Sequence, residues 1–191
     1  MTFRYAARLF KALPNMLTLL RAVLACILNL YVSICFGLLA IPVLLFILIF
    51  LTDFLDGRIA RRYGYASRRG AVFDILADFF YIVLSYVVLC SHHVIPVWFF
   101  IVVLLKFMEF LFTSRLLMHR GGGDSIFVFD FIGRHIAVLY YIMPLFAYAS
   151  FISSPSFHGI VICILCGGIS IMAIASSSYR LMQCYKANNG C

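Results

Sequence analysis

Apolar residues in this chain run in long blocks separated by short polar joints. The blocks fall at roughly 16–35, 37–60, 70–91, 95–118, 132–151 and 157–180. A helix of about 20 mostly apolar residues crosses the hydrocarbon core of a bilayer. Because lipid offers no hydrogen bonds, each segment must satisfy its own backbone, which a helix does. The pattern therefore predicts an all-α integral membrane protein with six transmembrane helices. The opening stretch, MTFRYAARLFKALPN, differs. It sets Phe3, Leu9 and Phe10 against Arg4, Arg8 and Lys11, as in a short interfacial amphipathic helix. It lacks the short apolar run and small-residue site of a cleavable signal. Pro14 and Asn15 then open the first span, with proline in a first helical turn.

Composition supports this reading. Of 191 residues, 65% are hydrophobic and 12% charged, and the mean hydropathy is +1.08; soluble domains are about 45–50% apolar. A net charge of +8 raises the question of nucleic acid, but the basic residues are placed by loop. Arg4, Arg8 and Lys11 precede the first span. Arg61, Arg62, Arg68 and Arg69 join the second to the third, Arg115, Arg120 and Arg134 the fourth to the fifth, and Arg180 and Lys186 lie in the tail. The opposite joints, near 31–42, 91–95 and 151–157, hold no Lys or Arg. The positive-inside rule then puts both termini on the cytoplasmic side of a cell membrane, and no nucleic-acid partner is expected. No repeat or linker divides the chain, so residues 1–191 are expected to form a single domain. Cys163 and Cys166 make a CxxC, but no second Cys or His pair lies near, and such thiols are small apolar fillers. Gly121, Gly122 and Gly123, before Asp124, read as a flexible loop; no strand precedes them as a phosphate cradle would require.

The chemistry is concentrated in one stretch. Four of the seven acidic residues lie in TDFLDGRIARRYGYASRRGAVFDILAD. An Asp at the centre of a membrane helix costs about 2.5–3.5 kcal/mol on insertion scales, so such residues face a partner or a cavity. Asp53 and Asp56 are spaced i, i+3 and Asp74 and Asp78 are spaced i, i+4, so each pair shares a helical face. A tight turn between the helices would bring the two faces together. Four carboxylates without His or Cys form an all-oxygen site for a hard cation, Mg²⁺, Mn²⁺ or Ca²⁺, rather than zinc or copper. Four negative charges suit two divalent ions, the usual device for displacement at phosphorus. The alternative is a polar core in which Arg58, Arg61 and Arg62 merely neutralise the acids. It explains charge balance but not why acids converge on one another. A membrane transporter that couples ions through midplane acids is a further class, but these acids fall near the ends of two continuous spans.

The same stretch resembles the signature of the CDP-alcohol phosphotransferase family, D-x2-D-G-x2-A-R-x8-G-x3-D-x3-D. Asp53, Asp56, Gly57, Ala60, Arg61, Gly70, Asp74 and Asp78 fill every fixed position. At roughly 5–7% usage per residue type, eight such identities coincide by chance about once in 10¹⁰ starts. The family has six transmembrane helices and often begins with P-N-x-L-T-x-x-R, here Pro14, Asn15, Leu17, Thr18 and Arg21. The resemblance implies two divalent cations, Mg²⁺ or Mn²⁺, held by Asp53, Asp56, Asp74 and Asp78, with Asp78 also the catalytic base. It implies a CDP site lined by Gly57, Ala60, Arg61 and Gly70, helped by Asn15 and Thr18, and attack on the β-phosphorus with loss of CMP. Family members are commonly homodimers.

The signature does not name the acceptor alcohol. The donor expected is CDP-diacylglycerol, and Arg68, Arg69, Lys106, Arg115 and Arg134 are cations suited to an acceptor phosphate. Lys106 also lies one turn before Glu109, so an intramembrane ion pair is an equal reading. Arg120, Arg180 and Lys186 are expected only to set topology or meet anionic lipid. Phosphatidylglycerophosphate synthases commonly follow the last aspartate with Lys, whereas Phe79 stands here, and the S-F-G of serine-accepting members is missing. Gly133 and Arg134 look like the family's fifth-helix entry. The chain thus resembles the phosphatidylglycerophosphate and phosphatidylinositol phosphate synthase branch, with glycerol 3-phosphate the preferred acceptor. Inositol phosphate, serine, or CDP-choline or CDP-ethanolamine with diacylglycerol are the alternatives.

Overall fold

A computed structural model of the chain describes residues 2–63, 68–121 and 131–189, with side chains for 16–55, 70, 72–114 and 132–185. The described residues form helices α1 (Thr2–Ile34), α2 (Ala40–Tyr63), α3 (Arg68–Ser91), α4 (Val97–Gly121), α5 (Phe131–Ser153) and α6 (Pro155–Asn189). Five contain apolar stretches long enough to cross a membrane: Met16–Ile34, Val72–Ser91, Val97–Ser114, Ile132–Ser153 and Pro155–Tyr185. In α2 the apolar stretch among the residues with described side chains is Ala40–Leu55. Many outward positions carry large apolar side chains, including Leu19, Val23, Ile27 and Ile34 on α1 and Ile160, Ile164 and Ile171 on α6. Soluble monomers rarely expose such continuous apolar surface. The chain is an all-α, multi-pass membrane protein.

The amphipathic start is continuous with the first span. α1 runs unbroken for 33 residues, about 50 Å at 1.5 Å per residue, well beyond the roughly 30 Å hydrocarbon core. Pro14 therefore lies inside α1 rather than at its start. The preceding residues, rich in Ala, Leu and Arg, are good helix formers and carry the helix through the site of the one hydrogen bond that proline removes.

Two compact units divide the chain, Met1–Val88 and Leu89–Cys191. In the first, α1 and α2 pack as a hairpin. Gly37 turns it, with φ of 108°, a conformation that L side chains rarely adopt. One stripe of each helix is buried: Ala25, Leu28 and Val32 on α1, Phe46 and Ile49 on α2, Ala77 and Tyr81 on α3. Phe46 and Tyr81 meet with ring centroids 6.3 Å apart. Asn29 Nδ2 donates to Ala25 O at 2.8 Å and across to Ser85 Oγ at 3.2 Å, tying α1 to α3.

In the second unit α6 packs against α4 and α5, around Phe99, Val103, Tyr140, Met143, Ile162 and Cys166. Phe99 and Tyr140 meet edge to face at 5.9 Å. Pro155 opens α6 at its first position, where its missing N–H costs nothing, and Ser154 O accepts from the N–H of His158 at 3.1 Å. The buried His158 ring contacts Val94 O at 2.9 Å through Nε2, fastening the start of α6 to the joint before α4. Cys163 and Cys166 are free thiols, one exposed and one buried, on a helix among apolar neighbours.

A polar cluster links α4 to α6. Lys106 Nζ donates to Glu109 Oε2 at 2.7 Å, Ser177 Oγ at 2.9 Å and Ser176 Oγ at 3.1 Å. Arg180 was expected only to set topology or meet lipid, but it is 2% exposed. Its Nη2 donates to Thr113 Oγ1 at 2.8 Å and Ser114 Oγ at 3.1 Å, and its guanidinium lies 5.1 Å from the Phe110 ring centroid. The reason is α6's length: the helix continues past 180, so the arginine falls on the inward stripe rather than at a terminus.

Candidate active site

The inward stripes of α1, α2 and α3 turn from apolar to charged at one end. On α1 the stripe Val32, Leu28, Ala25 continues one turn further to Arg21; on α2, Phe46 and Ile49 lead to Asp53; on α3, Tyr81 and Ala77 lead to Asp78 and Asp74. Helical spacing alone thus delivers four charged side chains to one place.

There Arg21 meets all three acids. Its Nη1 lies 2.7 Å from Asp74 Oδ1 and 2.8 Å from Asp78 Oδ1, and its Nη2 lies 2.9 Å from Asp53 Oδ1. The arginine side chain is fully buried, while the carboxylates keep 37%, 40% and 33% exposure at Asp53, Asp74 and Asp78. The acids therefore remain open to a ligand, and the arginine backs them from within. Charge-assisted contacts of this length are the strong kind, which a guanidinium withdrawn from water requires.

The donor set fits a hard cation. One ligand oxygen from each of Asp53, Asp74 and Asp78 can be chosen so that all lie within 4.8 Å of one another. An octahedral Mg²⁺ at 2.0–2.1 Å holds its ligand oxygens about 2.9 Å apart when adjacent and about 4.2 Å apart when opposite, so rotation of these side chains toward one another is needed to close a shell. Among the described residues, no nitrogen or sulfur ligand accompanies these three.

The other expected site residues divide as follows. Asp56, Gly57, Ala60 and Arg61 continue α2 beyond Asp53, and Asn15 lies in α1, but their side chains fall outside the described residues. So do those of Arg68 and Arg69 in the first turn of α3 and of Arg115 in α4, and so do residues 64–67 and 122–130 altogether. Gly70 is half-buried one turn before Asp74, and Thr18 is half-buried one turn before Arg21. Arg134, on α5, is exposed. Of the two readings of Lys106, its contacts form the ion pair with Glu109. Sequence reasoning gave Arg21 no role beyond its place in the opening pattern. The available signal was a lone cation inside an apolar block, which must find an acid.

A model of the CDP-alcohol phosphatidyltransferase family matches residues 11–177. The chain belongs to that family. It is therefore a phosphotransferase of phospholipid biosynthesis that uses a CDP-alcohol substrate and an alcohol acceptor, and the transporter alternative falls away. Members use a divalent metal, and the cluster of Asp53, Asp74 and Asp78 suits one. No individual curated protein matches the chain.

Proposed function

We propose that the chain transfers the phosphatidyl group of CDP-diacylglycerol to a small phosphorylated alcohol, with glycerol 3-phosphate the preferred acceptor, and releases CMP. The observation that carries this reading is the convergence of Asp53, Asp74 and Asp78, with ligand oxygens within 4.8 Å, at the charged end of three apolar helices. A lipid-linked donor can enter such a site from the side while its nucleotide stays in water. We assign Asp53, Asp56, Asp74 and Asp78 to two divalent ions, Mg²⁺ or Mn²⁺, which when bound would neutralise charge on the phosphates and the leaving oxygen.

The remaining roles belong to the chain itself. Asp78 accepts the proton of the acceptor hydroxyl. A bond forms from that oxygen to the β-phosphorus, and the bond from this phosphorus to the CMP oxygen breaks. Arg61, one turn beyond Gly57, offers a forked donor to the pyrophosphate. Gly57, Ala60 and Gly70 leave room for close approach of the nucleotide, with Asn15 and Thr18 beside it. Arg68, Arg69, Arg115 and Arg134 are the cations we assign to the acceptor phosphate. In keeping with the positive-inside rule, the site and both termini face the cytoplasm of a cell membrane, and the enzyme works as a homodimer and a single domain.

Purified protein incubated with CDP-diacylglycerol, Mn²⁺ and a panel of glycerol 3-phosphate, inositol phosphate and serine tests the reading. Release of CMP with glycerol 3-phosphate as the fastest acceptor is expected. Faster release with serine, or turnover only of CDP-choline or CDP-ethanolamine with diacylglycerol, would overturn the acceptor assignment.

A further inference from the structure

We propose that Arg21 is a built-in competitor of the divalent cations, so that guanidinium and metal bind the acid cluster at each other's expense. The inference rests on the metal-site reading of Asp53, Asp74 and Asp78. Two nitrogens of one guanidinium contact one oxygen of each of these three carboxylates at 2.7, 2.8 and 2.9 Å. Any ion bound by one of those same oxygens at about 2.1 Å lies no farther than about 5 Å from a guanidinium nitrogen. At that range two cations repel, the more so because the guanidinium is itself withdrawn from water.

Arg21 has no easy retreat. It is fully buried and sits on the inward stripe of α1, four residues from the fully buried Ala25. The charge count also favours coexistence at a cost rather than exclusion. Three carboxylates and one guanidinium sum to −2, enough to hold one divalent ion without discarding the arginine. Arg21 therefore gathers the carboxylates at a spacing close to that of a metal shell and weakens the metal's hold on them. Linkage is reciprocal: whatever loosens the arginine tightens the metal, and bound metal loosens the arginine. A ligating scaffold without such a cation would lose its shape through carboxylate repulsion each time the metal left.

The test is Mn²⁺ binding to the full chain in detergent, read from the loss of the free-ion electron paramagnetic resonance signal, for wild type, Arg21→Met and Arg21→Lys. Arg21→Met should bind Mn²⁺ about tenfold tighter, within the roughly 5–150-fold range of site coupling. It should also melt earlier than wild type in EDTA and recover in saturating Mn²⁺. Arg21→Lys, whose single ammonium engages fewer oxygens, should bind with intermediate affinity, and it carries the test if Arg21→Met cannot be recovered folded. Variants that bind Mn²⁺ no tighter than wild type, or that melt earlier by the same amount with and without Mn²⁺, would overturn the competition and leave Arg21 a fixed scaffold. A wild-type chain that takes up no Mn²⁺ would overturn the metal-site reading itself, and this inference with it.

Discussion

Arg21 on α1 reaches Asp78 on α3 at 2.8 Å across 57 residues of sequence, and two turns along the same helices Asn29 reaches Ser85 across 56. Nearly equal separations mean that α1 and α3 run parallel in a fixed register. The Asn29–Ser85 hydrogen bond, in the apolar part of the unit, sets the height at which the charged residues meet. Interhelical hydrogen bonds of this kind contribute about 0.6–2 kcal/mol in membranes. Asn29→Leu should therefore lower the melting temperature modestly and reduce CMP release severalfold, since small misplacement of reacting groups is costly. Differential scanning fluorimetry and a turnover assay check the two effects.

The Lys106–Glu109 pair should behave as structure rather than as substrate recognition. Glu109→Gln leaves Lys106 and Arg180 without their shared acid, Arg180 Nε being 3.6 Å from Glu109 Oε1. A loss of about 1–3 kcal/mol is expected, with the double variant Lys106→Met, Glu109→Gln recovering part of it. The KM for the acceptor should stay unchanged in both; a selective rise in that KM would restore Lys106 to the acceptor site.

Arg180 should not be replaceable by lysine. Its guanidinium divides its contacts between Thr113 and Ser114 while lying against Phe110, a geometry a point-charge ammonium does not reproduce. Arg180→Lys should lower thermal stability without changing Mn²⁺ affinity, measured on the same preparations.

Gly37 offers a purely backbone test. Space is open where a Cβ would lie, yet its φ of +108° strains any L residue. Gly37→Ala should cost about 1–3 kcal/mol, read as a lower unfolding midpoint with turnover per folded molecule retained.

Much of this was legible in the chain because membrane helices obey few rules. The apolar blocks near 16–35, 70–91 and 132–151 became spans, since lipid leaves the backbone no alternative. The spacing of Asp74 and Asp78 announced a shared face for the same reason that it built one. What escaped was pairing. Arg58, Arg61 and Arg62 are close to the acids in sequence and drew attention as counter-ions, whereas Arg21 reaches Asp53, Asp74 and Asp78 from another helix. The inward position of Arg180 is hidden in the sequence, because the length of α6 beyond it is weakly marked in a polar tail. Local spacing specifies faces; which faces meet depends on packing, which no single block carries.

The acid cluster's chemistry is tested most directly by Asp78→Asn. With CDP-diacylglycerol, Mn²⁺ and glycerol 3-phosphate, the wild-type chain should release CMP, and chelation by EDTA should abolish release until Mn²⁺ or Mg²⁺ is restored. Asp78→Asn, confirmed folded by its circular dichroism and size-exclusion profile, should be slowed at least 10²–10⁴-fold, the range for loss of a positioned base. CMP release by the folded variant at the wild-type rate would contradict the assignment of Asp78 and the active site built around it.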